Sequence, residues 1–210
     1  MRDLLLAPYR AVRKRATARR CLRLPGGGKL HVGCGPVHLD GWINIDNRRY
    51  PAADYLWDVR DGLPFRGLAR IFAEHFLEHL PLWEAQRFLT DCRNALADDG
   101  ALRLSTPNLD WILATHRGSF ELNKAFRGWG HQFLYDAATL TDVLHAAGFS
   151  RVEFHAYGES TIPELRGLER HERFADTPEL PHVLVIEAHG HGKASDPEGA
   201  REFLNALGAF

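Results

Sequence analysis

Lysine, cysteine and long apolar runs are scarce in this 210-residue chain. Only four of its 26 basic residues are lysine, and the net charge is −1, so the molecule as a whole is not a nucleic-acid polycation. The three cysteines, Cys21, Cys34 and Cys92, form no CxxC pair and no even set. That argues against a disulfide framework and for a reducing compartment. No stretch approaches the roughly 20 apolar residues of a membrane span. Residues 4–7 are too short for a signal-peptide core, and the expected location is the cytoplasm. Two nucleotide signatures are missing as well. The third glycine of Gly-x-Gly-x-x-Gly is replaced by His38, and no GxxxxGK[ST] loop occurs.

What is present centres on residues 29–46, KLHVGCGPVHLDGWINID. A short strand at 29–32 breaks into Gly33-Cys34-Gly35, where the missing Cβ atoms let the backbone approach a ligand closely. A second strand, 42–45, ends in Asp46, an acid able to accept two hydrogen bonds from a ribose diol. Ligands of open α/β sheets sit beyond such carboxyl ends. Asp46 follows Gly35 by eleven residues, against about 20 in dinucleotide-binding folds, and Pro36 and Gly41 mark a loop between them. A nicotinamide dehydrogenase is therefore disfavoured.

The rest of the chain alternates strands and helices. Strands are expected at 55–58, 69–73, 101–105, 151–156 and 182–188. Phe65 is expected to tuck inside. A helix over 81–97 carries Ala85, Phe88, Leu89, Cys92, Ala95 and Leu96 on one face, ended by Asp98, Asp99 and a left-handed Gly100. A second helix, capped by Asp136 and ended by Gly148, presents Leu140, Val143 and Leu144. Residues 108–134, rich in aromatics and glycine, read as an irregular lid or substrate loop. Residues 157–181 read as an insertion with a short helix near 163–170. At the ends, residues 1–28 read as a basic amphipathic helix and hinge, and 189–210 as a linker and short helix. The leader is read as a solvated helix packing on the domain, with weak contact to an anionic membrane surface as the alternative.

HVGCG, GWINID, WDV with LPF, and AEHFLEHL together resemble the class I S-adenosylmethionine-dependent methyltransferases. The likeness is to a small bacterial branch with a shortened first loop, resembling type 11-like and polysaccharide-associated enzymes, and it covers residues 29–188. It implies a Rossmann-like α/β fold, with a seven-stranded, mostly parallel sheet, an antiparallel edge hairpin and helices on both faces. It implies S-adenosyl-L-methionine as cofactor, held by His31, Gly33, Cys34, Gly35, Asp46, Asp58, Val59 and Glu74. Asp58 would accept from the adenine amino group, with Asp61 as its competitor. The acceptor would be a small molecule or glycan, lined by Trp129 and Tyr135. Proton removal from a hydroxyl acceptor would fall to a group titrating near neutral, for which His75, His79 and His131 are the candidates.

Two other readings compete. One is a catalytically inactive, methyltransferase-like binding module, kept open by the shortened 36–41 loop. The other is a zinc hydrolase, because His75-x-x-Glu78-His79 matches an inverted zinc-protease motif. It requires a third ligand that the sequence does not nominate, so no metal is expected. The body shows no basic face and no Asn-Pro-Pro-Tyr-like turn for nucleic-acid methylation; Thr106-Pro107-Asn108 is not that motif.

Overall fold

The computed structural model describes residues 28–63, 65–171 and 174–191. The basic leader and the terminal helix expected from the sequence lie outside these residues. No helix among them is long and apolar enough to cross a membrane.

Seven strands form one sheet: β1 (Lys29–Val32), β2 (Ile43–Asp46), β3 (Tyr55–Leu56), β4 (Leu68–Glu74), β5 (Leu96–Pro107), β6 (Arg151–His155) and β7 (Val183–His189). Their order is β3-β2-β1-β4-β5-β7-β6. The β1–β2, β1–β4, β2–β3 and β4–β5 pairs are parallel. β7 runs antiparallel between β5 and β6, so the final hairpin folds back into the sheet's edge. This is a Rossmann-like architecture, with helices packed around a mostly parallel sheet.

Strand alternation sends side chains to two faces. On one face Leu30, Val32, Ile43, Ile45, Ile71 and Ala73 meet helices α1 (Leu82–Ala95) and α4 (Ala137–Ala146) in the main core. Phe65 is wholly buried there, and α1 inserts Ala85, Phe88, Leu89, Cys92 and Ala95. Fully burying a side chain the size of Phe88 or Leu89 stabilises by about 1.5–3 kcal/mol. α4 is capped as its sequence demands: the Asp136 carboxylate accepts the Thr139 N–H at 2.7 Å, and Gly148 ends it at φ 97°.

The opposite face is packed differently. Leu39 and Trp42 from the loop after β1, and Leu165 and Leu168 from the 157–171 segment, cover Phe72. Arg103 of β5 is wholly buried on this segment's inner side, pairing with Glu169 at 2.7 Å and Glu187 at 2.6 Å. A buried guanidinium demands such partners, since isolated buried charge is costly.

Three local expectations are corrected. Gly100 is not left-handed. β5 instead begins directly after α1, with a register shift between Leu68 and Arg70, and a Cβ at Gly100 would lie 2.8 Å from the Leu68 carbonyl oxygen. Residues 108–134 are more regular than read. Asn108 caps α2 (Leu109–Thr115) by accepting the Asp110 N–H, and α3 (Ser119–Asn123) follows, running into a π turn at Lys124–Gly128. Trp111 anchors this half, stacking on Phe174 and donating to the Ala175 carbonyl at 3.2 Å. The helix expected near 163–170 is a single 3-10 turn, Pro163–Leu165. Gly167 interrupts it at φ 65°, its N–H donating to the Gly158 carbonyl.

Candidate active site

A cleft of about 930 Å³ opens beyond the carboxyl ends of β1, β2 and β4. That is where α/β sheets of this topology place their ligands. His31, Gly33, Cys34, Gly35, Asp46, Asp58, Val59, Glu74, His75, His79 and Trp129 all line it.

The floor is the turn after β1. Gly33 and Gly35 adopt φ 64° and 51°, a left-handed region costly for residues with a Cβ. A Cβ on Gly33 would run into the Phe76 ring, whereas one on Gly35 would meet nothing within 4 Å. Gly33 thus serves packing, and Gly35 keeps an open backbone face. Between them Cys34 is 3% exposed, and burial pushes its thiol up to about 11, leaving it without thiolate character near neutral pH. His31 lies beneath, stacked on Phe72 and bonded through Nδ1 to Asn44 Oδ1 at 3.0 Å. Burial lowers its pKa, so the ring is a neutral support of the floor.

Asp46 closes the other side. Its Oδ2 accepts the Gly35 N–H at 3.0 Å and its Oδ1 the Arg48 N–H at 2.7 Å. Each carboxylate oxygen retains a lone pair for a further donor. Asp58 caps the 3-10 turn Val59–Asp61, accepting the Arg60 N–H at 3.0 Å and pairing with the Arg60 guanidinium at 2.7 Å. Of the two acids in this turn, Asp58 faces the cleft and Asp61 does not.

Glu74, at the end of β4, is engaged from the far side of the chain. Its carboxylate accepts the main-chain N–H groups of Arg170 and His171 at 2.9–3.0 Å and sits 3.4 Å from His171 Nδ1. Burial alone would raise its pKa, but the bonds from His171 and Arg170 prevail and lower it. The 157–171 segment is therefore strapped to the cleft wall, and no sequence pattern marks Arg170 and His171 as part of it. Phe76, Trp57, Arg48 and Gln132 also line the cleft unannounced.

Polar groups also gather at the cleft's lip beside this wall, where the His75 and His171 rings lie 4.6 Å apart. His75 sits at φ 45°, a strained conformation that concentrates at functional sites. Its Nδ1 faces Glu78 Oε1 at 3.1 Å, and Glu78 Oε2 accepts from Thr106 Oγ1 at 3.1 Å. Glu78 is wholly buried; burial would raise its pKa, but the His75 hydrogen bond and charge bring it below the usual value. His79 is exposed on the 3-10 turn Leu77–His79, and His131 packs edge-on against it at 5.1 Å between ring centroids. His75 precedes that turn, so His75 and His79 do not share a helical face as the inverted zinc-protease motif requires. His131 and Tyr135 do not line the cleft. Tyr135, expected on the substrate wall, is wholly buried. It packs on Phe133, and its main chain bridges to Asn108.

No protein-family model matches the sequence, and no curated protein matches it. Solved structures do. A SAM-dependent methyltransferase from Archaeoglobus fulgidus superposes with TM-score 0.54 at 17% identity, over 89% of this chain and 98% of that one. DhpI, in complex with SAH, gives TM-score 0.51 at 17% identity over 91% of both chains. A SAM-dependent methyltransferase from Thermotoga maritima, described as a possible histamine N-methyltransferase, gives 0.50 at 15% identity over 89% and 93%. The chain has the fold of the class I SAM-dependent methyltransferases.

Proposed function

We propose that this protein is an S-adenosyl-L-methionine-dependent methyltransferase acting on a small-molecule or glycan acceptor. The observation that carries the reading is the meeting of an open Gly35 backbone face and the Asp46 carboxylate in one cleft at the sheet's switch point. The residues fit the cofactor. Gly35 leaves room for its methionine part, Asp46 has lone pairs for a ribose diol, and Asp58 and Val59 would take the adenine. When bound, the cofactor supplies an electrophilic methyl group on a sulfonium.

The protein's part is then orientation. Holding two reactants in register is worth about 7–11 kcal/mol of barrier in well-aligned cases. Trp129, 70% exposed, and Gln132 form the acceptor side of the cleft wall. A hydroxyl acceptor must also lose a proton, and His75 and His79, which line the cleft, are the imidazoles placed to take it.

Calorimetric titration with S-adenosylhomocysteine tests the reading. Binding in wild type and weaker binding in Asp46→Ala are expected. A folded wild-type protein giving no heat would overturn it.

A further inference from the structure

The third ligand that the sequence does not nominate is supplied by the tertiary structure. Glu78, His79 and His131 each offer a ligand atom, and these atoms lie within 4.8 Å of one another. We propose that these three residues bind a divalent transition-metal ion, such as Zn²⁺, at the acceptor lip of the cleft.

Consecutive residues such as Glu78 and His79 seldom converge on one point, and His131 is distant in sequence. The junction is made by the main chain. The Glu78 carbonyl accepts the N–H groups of Gln132 (2.7 Å) and Phe133 (3.2 Å), which clamps the 131–133 stretch onto the 3-10 turn.

The His79 tautomer follows from its main-chain contact. His79 Nδ1 faces the Gly130 carbonyl at 3.3 Å. A carbonyl only accepts, so Nδ1 carries the proton and Nε2 keeps its lone pair. An imidazole held in this way by a backbone carbonyl is the usual posture of a metal ligand. His131 is 7% exposed, and no hydrogen bond reaches its buried Nδ1. A buried, unpartnered ring nitrogen costs free energy unless something fills that position.

Glu78 brings the charge. Its carboxylate is wholly buried and is oriented by His75 and Thr106, and no lysine or arginine pairs with it among the described residues. Two imidazoles and one carboxylate suit zinc, iron or manganese rather than calcium or magnesium. For a tetrahedral zinc site the donors need only draw in to roughly 3.4 Å apart, as bond lengths near 2.1 Å require.

Three protein donors leave a position open, and His79 lines the cleft. On the methyltransferase reading of this cleft, the open position takes an acceptor oxygen, a hydroxyl or phenol, whose pKa the ion lowers. That last step rests on the proposed function; the ion site does not.

The test uses the untagged full chain, stripped with chelator and titrated calorimetrically with Zn²⁺ and then, in fresh samples, with Mn²⁺. Folding of every variant is checked by thermal melting. Wild type should bind one ion, and His79→Ala and His131→Ala should each weaken it by on the order of 10-fold or more. His79 is exposed, so its variant keeps the fold. His155→Ala, in the separate Glu153, His155 and Glu187 group, should bind as wild type does. Absence of a site in wild type, unchanged affinity in both lip variants, or loss only in His155→Ala overturns the proposal. S-adenosylhomocysteine binding in the same samples separates the two readings. Cofactor without ion sinks the metal site alone, and ion without cofactor sinks the methyltransferase alone.

Discussion

Asp46 reaches back eleven residues to hold the turn that opens the cleft, its Oδ2 accepting the Gly35 N–H at 3.0 Å. The carboxylate positioned for a ribose diol is thus also the clasp of the glycine turn. It cannot be removed without loosening the backbone beside it.

Removing that clasp should show first in affinity. Asp46→Ala is expected to weaken S-adenosylhomocysteine binding on the order of 10- to 100-fold, about 1.4–2.8 kcal/mol. Asp40→Ala, on the exposed loop, should bind as wild type does. Equal affinities in calorimetry would take Asp46 out of the site.

The two glycines should fail in different ways. Gly33→Ala forces a Cβ into the Phe76 ring at φ 64°, so its melting temperature should fall. The left-handed strain alone is worth about 1–2 kcal/mol, and the clash adds to it. Gly35→Ala carries similar strain but meets open space, so it should lose ligand affinity out of proportion to stability. Identical melting and binding in the two variants would refute the division.

The Glu74–His171 strap should depend on pH in a defined window. Glu74 is lowered from 4.5, so its contribution is present above that value and lost as pH falls through its folded pKa. His171 is raised from 6.5, first by its hydrogen bond to Glu74 and against its burial, with Glu78 adding to the effect. Its contribution is therefore present below 6.5 and lost as pH rises through the raised folded value. Hydrogen exchange at the Arg170 and His171 amides, corrected for intrinsic rates, should lose protection as pH rises from near neutral. His171→Gln should flatten that dependence. A flat wild-type profile would show that the pair does not hold the strap.

Breaking the buried Arg103 network should cost stability unequally. Arg103→Leu leaves Glu169 and Glu187 buried without their cation and should cost about 3–5 kcal/mol. Glu169→Gln leaves Arg103 paired with Glu187 and should cost about 1–3 kcal/mol. Urea unfolding of both variants measures the order; a reversal would mean that the cation is held chiefly by groups other than these two acids.

Outside residues 97–100 and 108–134, the strand and helix pattern of residues 29–155 is legible because it is local. Hydrophobic period, Asp136 as cap, and glycines at positive φ each act within a few residues of themselves. Gly33, Gly35 and Asp46 could be marked for the same reason, since one short strand–turn–strand unit positions all three. What the chain does over distance was not legible. Arg170 and His171 reach Glu74 across 96 and 97 residues, and Glu169 reaches Arg103 across 66. No local preference records such pairings, because buried charges select partners by where packing delivers them. The lip cluster divides along the same line. His75, Glu78 and His79 stand together in the sequence, but His131 joins them only because the Glu78 carbonyl binds the main chain of Gln132 and Phe133. Tyr135, four residues on, is drawn inside by apolar burial, an outcome set by the core rather than by its own neighbours.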